Sequence, residues 1–161
     1  MSVIAPIRTD DEMIGSASVT AMMRYLLSNE EGLSQNPDYL GKHFVVGKWR
    51  RYLENPKKSI EELQLKLPGC IYYHLIRTKF FDDCLKSWLN NEQNSQVIIL
   101  GSGFDSRGIR FKKELNDKNV MIYEVDLPAM LIHKNNVVRQ EIDSSLHHIK
   151  YVPCNFNTDN L

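Results

Sequence analysis

Apolar residues recur along this chain with two different spacings, and the change falls near residue 95. Up to that point apolar side chains return every three to four residues over 13–30 and over about 71–89, which is typical of helices that bury one face. Beyond it they gather in short runs rich in β-branched residues, which is typical of buried strands. The pattern predicts a helical region over 1–95 and a region of alternating strands and helices over 96–161.

The second region has the order β-α-β-α-β. The predicted strands cover 96–100, 119–125 and about 148–153, and the predicted helices lie within 105–115 and from Pro128 to about Asp143. This order is one half of a doubly wound parallel sheet, so the predicted fold class is α/β. Three parallel strands leave one face and one edge of the sheet uncovered. We therefore expect a chain truncated at its C-terminus, with self-association through the uncovered edge as one outcome.

Two shorter helices are predicted between the long ones, over 39–52 and over 59–67. Ser59 followed by Glu62 has the spacing of a capping box, so we expect the second of these helices to begin at Ser59. Pro68 and Gly69 then end it.

The overall composition narrows the class of protein. With 161 residues, 42% of them hydrophobic, and no formal net charge, the chain is typical of one globular domain without affinity for nucleic acid. No apolar run approaches the roughly 20 residues of a membrane span, and the N-terminus lacks the features of a signal peptide. Cys70, Cys84 and Cys154 have neither disulfide nor metal spacing, so we expect buried, reduced thiols in a cytoplasmic protein.

The most informative stretch follows the first predicted strand, which runs into Gly101-Ser102-Gly103. A strand, a glycine turn and the start of a helix can hold a nucleotide-like ligand, because missing side chains let the ligand approach the backbone. The second strand ends in Glu124-Val125-Asp126, and alternation along a strand points the two acids to the same face. A carboxylate at this place can accept hydrogen bonds from both hydroxyls of a ribose.

Several motifs occur together here in the order found in one known family. They are I-I-L-G-S-G-F-D-S-R, Y-E-V-D-L-P-A-M-L-I-H-K and Y-V-P-C-N-F, preceded by S-V-T-A-M-M-R-Y-L-L, N-P-D-Y-L-G-K-H-F-V and I-R-T-K-F-F-D-D. With them the chain resembles the leucine carboxyl methyltransferase family, and most closely its bacterial branch. The resemblance implies a Rossmann-like class I methyltransferase fold, with a helical cap over 1–95 and the first half of the cofactor-binding sheet over 96–161. Family members are longer, so it also implies that much of the acceptor pocket lies outside this chain.

The resemblance implies S-adenosyl-L-methionine as the cofactor. Gly101, Ser102 and Gly103 would lie against its methionine and ribose portions. Asp126 is the expected ribose ligand and Glu124 the second candidate, while the other acid bonds amides of the loop. The alternative for both acids is to cap the helix that follows.

The resemblance also assigns Arg77 to the carboxylate of the cofactor, with a surface ion pair to Asp82 or Asp83 as the alternative. Asp105 either contacts the ligand or pairs with Arg107 to brace the glycine loop.

Asn155 stands where related sequences commonly carry an acid that binds the adenine amine, and its amide oxygen would accept that bond more weakly. Asp159 is the alternative ligand for the amine. Arg24 and Lys79 are expected on solvated helix faces. The five histidines are scattered and indicate no metal site.

We therefore predict an O-methyltransferase that acts on a carboxyl or hydroxyl oxygen, of a small molecule or of a protein C-terminus, with the bacterial branch favouring a small molecule. A carboxylate is already nucleophilic at pH 7 and needs no general base, so no catalytic residue is assigned. One alternative is a truncated fragment that binds the cofactor weakly or packs against a partner. A nicotinamide-dependent oxidoreductase is less favoured, because Ser106 stands where G-x-G-x-x-G has its third glycine.

Overall fold

The structure is a computed structural model that describes residues 10–29, 38–90, 95–143 and 145–159. The α-helices are α1 (Asp10–Leu26), α2 (Pro56–Lys66), α3 (Cys70–Leu89), α4 (Arg107–Arg110), α5 (Lys112–Asp117) and α6 (Pro128–Val137). The strands are β1 (Gln96–Leu100), β2 (Met121–Asp126) and β3 (Ile149–Pro153). Short 3-10 helices cover Leu27–Asn29, Tyr39–Phe44 and Gly47–Leu53, and one π-helical turn covers Val138–Ile142.

Within the described residues the strands form one parallel sheet in the order β1-β2-β3. This confirms the predicted α/β class and the β-α-β-α-β order. The register aligns Ile99 with Glu124 and Tyr151, and Leu100 with Val125 and Val152. All three strands therefore end at one edge of the sheet, where the glycine loop and Asp126 meet.

The two faces of the sheet differ in what covers them. On one face Val97, Ile99 and Ile122 pack with α3 and α5, and Ile149 packs with α4 and α6. On the opposite face the side chains of Ile98 and Leu100 are each 59% exposed, and Val152 is also exposed. Among the described residues, the predicted uncovered face is thus exposed at Ile98, Leu100 and Val152, while Val125 between Leu100 and Val152 is buried.

The helical region joins the sheet through a shared core. Ala21 of α1 and Phe44 pack with Phe104, Ile109 and further residues of the sheet region. The rings of Phe44 and Phe104 stack with centroids 5.0 Å apart. The boundary predicted at residue 95 remains a prediction, and the packing shows that the segments on its two sides bury a common set of apolar side chains.

The helix predicted over 59–67 begins earlier than the capping-box spacing suggested. α2 starts at Pro56, and the side chain of Asn55 accepts a hydrogen bond from the Lys58 N–H at 3.1 Å. Asparagine is a strong N-cap and proline favours the first helical position, so Asn55-Pro56 prevails over Ser59-Glu62. Ser59 is buried within the helix. The prediction of one helix over 39–52 is also wrong. This range instead forms two 3-10 helices, which are separated at Val45 and Val46.

Close packing between α4 and β3 depends on Gly108. A Cβ atom at this position would lie 2.9 Å from Cδ1 of Ile149 and 3.4 Å from Oε1 of Glu124. In G-x-G-x-x-G motifs the third glycine permits close contact of helix and strand. Here Gly108 allows that contact two positions after Ser106, where the motif would have its third glycine.

All three cysteines lie in the described ranges and none is in a disulfide. Cys154 is buried and Cys70 partly buried, but Cys84 is exposed, so the expectation of burial is wrong for Cys84. In the portion of the chain that the structure describes, none of the helices combines the length and apolarity that a membrane crossing requires.

Candidate functional site

A cavity of about 890 Å³ lies where β1 ends, between the glycine loop and helices α1 and α3. The glycine loop is the segment 101–106. The walls of the cavity include Gly101, Ser102 and Gly103 from the loop, Asp126 from β2 and Arg77 from α3. The structure therefore brings together five of the residues that the sequence singled out. Ligands of open α/β sheets bind at this end of the strands, outside their carboxyl termini.

The glycine loop leaves room for a ligand beside its backbone. Gly101 and Gly103 have φ angles of +62° and +45°, which side chains other than glycine rarely adopt. A Cβ atom at Gly101 would meet no other atom within 4 Å in the described structure. The Oγ atom of Ser102 is buried and has no hydrogen-bond partner among the described residues. A ligand hydroxyl or amine would satisfy this buried oxygen.

Asp126 connects the end of β2 to the loop. Its Oδ2 accepts the Gly103 N–H at 2.6 Å and its Oδ1 accepts the Leu127 N–H at 2.7 Å. Each carboxylate oxygen can accept two hydrogen bonds, so both oxygens keep capacity for ligand hydroxyls. Asp126 lines the cavity and is partly exposed, which suits a ribose ligand.

Glu124 lies beneath the loop and outside the cavity lining, although it points to the same face as Asp126. Both Glu124 and Lys134 have fully buried side chains, and Glu124 Oε2 lies 2.5 Å from Lys134 Nζ. The other oxygen, Oε1, is buried and finds no hydrogen-bond donor in the described residues. Burial raises the pKa of Glu124 even though the Lys134 ammonium acts in the opposite direction. Full burial separates Glu124 from any ligand in the cavity.

Asp105 pairs with Arg107, as one of the two predicted readings had it. Its carboxylate accepts hydrogen bonds from the Arg107 N–H at 2.8 Å and from the Arg107 guanidinium. Burial would raise the pKa of Asp105, but the charges of Arg107 and Lys134 outweigh burial and lower it. Asp105 is thus an ionised brace, and it is also among the residues that line the cavity.

A network of buried arginines and aspartates anchors this brace to the helical region. Arg107 Nε donates to Asp82 Oδ1 at 2.9 Å, and Arg110 donates two hydrogen bonds to the same carboxylate. Arg110 Nε also donates to Ser106 Oγ, which in turn donates to Asp38 Oδ1 at 2.6 Å. Helix α3, through Asp82, thereby holds the segment that follows the glycine loop.

Arg24 completes the network from α1. Its Nε lies 2.5 Å from Asp38 Oδ2, and its Nη2 donates to the Phe104 carbonyl at 2.7 Å. The side chain is 16% exposed. The expectation that Arg24 lies on a solvated helix face is wrong, because its guanidinium points inward at the loop. Lys79 does lie on an exposed face, where it pairs with Asp83 at 2.7 Å.

Arg77 lines the cavity without a carboxylate partner among the described residues. Asp82 is bound to Arg107 and Arg110, and Asp83 is bound to Lys79, so neither forms the predicted alternative ion pair. The Arg77 guanidinium lies over the Phe81 ring, 5.6 Å from its centroid. It can still donate two parallel hydrogen bonds to a ligand carboxylate.

His74 lies one helical turn before Arg77 and also lines the cavity. Burial lowers the pKa of His74, and the positive charges of Arg24 and Arg77 lower it further. The imidazole is therefore neutral at pH 7 and offers one donor and one acceptor nitrogen. The sequence reading treated His74 as an ordinary histidine, but its i−3 spacing from Arg77 was a usable signal.

Asn155 does not line the cavity. It lies in the turn after β3, where its Oδ1 accepts the Asn157 N–H at 3.1 Å and its own N–H donates to Asp159 Oδ2 at 2.8 Å. The structure thus gives Asn155 and Asp159 a role in closing this turn.

Similar proteins are found among methyltransferases. A family model described as leucine carboxyl methyltransferase matches residues 17–161. A protein of Streptomyces coelicolor, named as a putative S-adenosyl-L-methionine-dependent methyltransferase, is 40% identical over 67 residues, which cover 42% of this chain and 22% of that protein. A Frankia alni protein named for the same activity is 30% identical over 128 residues, which cover 80% of this chain and 42% of that protein. The matched segments cover less than half the length of these curated relatives.

Proposed function

This chain belongs to the leucine carboxyl methyltransferase family, and we propose that it forms the S-adenosyl-L-methionine-binding part of a methyltransferase. The observation that carries the proposal is the cavity beside β1, which brings Asp126, Arg77 and the open glycine loop to one place. Their chemistry fits the cofactor: an acid for a diol, a guanidinium for a carboxylate, and bare backbone for close approach.

We assign the ribose hydroxyls to Asp126 and not to Glu124, because only Asp126 reaches the cavity. Arg77 is assigned to the methionine carboxylate, since it lacks an acidic partner among the residues described. Gly101, Ser102 and Gly103 would lie along the cofactor, with Ser102 Oγ available for one further hydrogen bond.

The residue proposed for the adenine amine lies outside the lining of the cavity. Asn155 stays the proposed ligand for it, through the second lone pair of an amide oxygen that already accepts a bond in its own turn.

The proposed reaction is methyl transfer to a carboxyl or hydroxyl oxygen. The cofactor, when bound, supplies a methyl group on a sulfonium leaving group, and the protein aligns the acceptor with it. A carboxylate acceptor needs no general base. Transfer to a hydroxyl acceptor is faster with a general base that removes its proton. His74 is the proposed base, since it is neutral and lies one helical turn from Arg77 on α3. A small molecule is the favoured acceptor class, and a protein C-terminal carboxyl is the alternative.

Two further properties belong to the proposal. Unbonded cysteines suit a reducing, cytoplasmic setting. The outer edge of β1 and its exposed face carry no charge, and such an edge can pair with a second copy of the chain. The exposed face also favours a second candidate function, a noncatalytic fragment that binds the cofactor or a partner.

Calorimetric titration with S-adenosylhomocysteine tests the proposal, with NADH as the matched control ligand. Micromolar affinity for the first ligand alone is the expected result. Binding of neither ligand by folded protein would contradict cofactor binding, and binding of NADH would favour the oxidoreductase alternative. Methyl transfer from radiolabelled cofactor then separates acceptors, because methyl esters of carboxylates release methanol in alkali and methyl ethers do not. A peptide with a free C-terminal carboxyl and its amidated form distinguish a protein acceptor from a small one.

A further inference from the structure

We propose that Lys134 is a positioning residue, whose buried ammonium fixes the glycine loop through the Asp105 carbonyl, with Glu124 as its counter-ion. The ammonium donates to the Asp105 carbonyl oxygen at 2.6 Å and to Glu124 Oε2 at 2.5 Å. These contacts connect α6, β2 and the loop through one atom. The effect of Lys134 on the loop stands by itself, and its effect on cofactor affinity rests on the proposed function.

The burial of Lys134 calls for a reason other than packing. Lysine is almost never fully buried unless it is paired, because an ammonium loses its hydration on burial. The neighbouring residues of α6, Met130 and Leu131, are apolar and buried. An apolar residue at 134 would therefore suffice to dock the helix. Only a donor, however, can satisfy the loop carbonyl that points into the protein.

The Asp105 carbonyl is a sensitive point of the loop. The N–H of the same residue donates to the Ser102 carbonyl at 2.8 Å and closes a turn over residues 102–105. Its carboxylate accepts from the Arg107 N–H. Because the peptide bond is planar, holding the carbonyl fixes the plane between Asp105 and Ser106. Lys134 thus fixes the peptide that directly follows the turn, whose first residues would lie against the cofactor.

Amide hydrogen exchange in the ligand-free protein tests the proposal directly. The Lys134→Met variant removes the donor and leaves Glu124 alone. The Lys134→Met/Glu124→Leu variant replaces the whole pair with apolar residues, which often preserves or raises stability. Lys112→Met is the matched control, since Lys112 bonds Asp143 and Ser145 away from the loop.

We expect the double variant to recover most of the unfolding free energy that Lys134→Met loses. The Asp105 amide of the double variant should nevertheless exchange at least about tenfold faster than in wild type, while the amides of its helix α3 exchange at the wild-type rate. In the Lys112→Met control, the Asp105 amide should also exchange at the wild-type rate. Wild-type exchange at Asp105 and Gly103 in a stable double variant would overturn the proposal. Glu124→Gln keeps the bond from Lys134 to the loop, so its Asp105 amide should exchange at the wild-type rate. Fast exchange in Glu124→Gln, equal to that in Lys134→Met, would also overturn the proposal.

Cofactor affinity provides a second test of the role of Lys134. If wild-type protein binds S-adenosylhomocysteine, we expect the double variant to bind at least about fivefold more weakly despite its restored stability. Equal affinity of the two would overturn the role of Lys134 in the site. Failure of the wild type itself to bind would contradict the proposed function, and the exchange rates would still decide the role of Lys134 in the loop.

Discussion

Arg110 binds Asp82 in a bidentate ion pair, with Nη1–Oδ2 at 2.7 Å and Nη2–Oδ1 at 3.0 Å. The two side chains are 4% and 2% exposed. Planar guanidinium and carboxylate groups match each other in this geometry. The pair joins α4, which follows the glycine loop, to the middle of α3.

Arg110→Met should therefore destabilise the fold by about 3–5 kcal/mol, because it leaves the Asp82 carboxylate buried without one of its two arginine partners. Urea unfolding followed by circular dichroism measures the change. Lys79→Met is the matched control, since its pair with Asp83 is exposed and should contribute less than about 1 kcal/mol. Equal losses of unfolding free energy for the two variants would show that burial does not increase the contribution of the Arg110–Asp82 pair to stability.

Asp126→Ala should weaken S-adenosylhomocysteine binding at least tenfold, or about 1.4 kcal/mol, with the fold retained. The variant loses the proposed ribose acceptor and the hydrogen bonds that Asp126 accepts from the Gly103 and Leu127 N–H groups. Calorimetry gives the affinity, and circular dichroism checks the fold. Asp117→Ala, at an exposed position of α5, is the control. An Asp126 variant that binds like wild type would rule out the ribose role.

Arg77→Ala should cost a similar factor in affinity, because it removes the proposed partner of the cofactor carboxylate. The loss should be specific to that end of the ligand. 5′-Methylthioadenosine lacks the aminoacyl end, so wild type and variant should bind it equally well. A loss of equal size for both ligands would place Arg77 in the architecture of the site and not at the carboxylate. Lys79→Ala on the same helix should leave both affinities unchanged.

The lowered pKa of His74 predicts a pH dependence of stability. The unfolded chain binds a proton at His74 more readily than the folded chain does, so the unfolding free energy falls as the pH drops below the usual histidine pKa. From about pH 7 to about pH 5, wild type should lose more stability than His74→Gln, which has no proton to gain. Urea unfolding across this range measures the difference. Parallel curves for the two proteins would show that His74 is equally easy to protonate in both states.

Self-association through β1 should respond to charge on its exposed face. Ile98→Lys adds a charge where the side chain is 59% exposed, so monomer stability should change little while the dimer weakens. Sedimentation velocity over a range of concentrations distinguishes the species. Lys113→Ile, on the exposed surface of α5, adds apolar surface elsewhere and serves as the control. A wild-type protein that stays monomeric throughout would refute the proposed self-association.

Local signals account for the parts of the fold and site that the sequence predicted. Strand β1, the turn at Gly101 and Gly103, and Asp126 at the end of β2 are neighbours in a parallel sheet by topology alone, so their positions could be inferred together. The start of α2 was missed although its signal, Asn55-Pro56, was present.

The charge network was beyond the reach of sequence patterns. Asp82 and Arg110 are 28 residues apart, and Arg24 and Phe104 are 80 apart. A charged residue on a helix usually faces water, so periodicity alone assigns Arg24 and Lys134 to the surface. Their burial depends on partners that only the tertiary fold supplies.

The contact between Arg24 and the Phe104 carbonyl links occupancy of the cavity to the docking of α1 on the glycine loop. A ligand that requires the assembled loop cannot bind while α1 is detached, so its binding free energy also opposes local opening of α1. At a ligand concentration a hundred times the dissociation constant this opposition amounts to about 2.7 kcal/mol. If the proposed cofactor binds in this cavity, its concentration would therefore influence how readily a protease cleaves within α1.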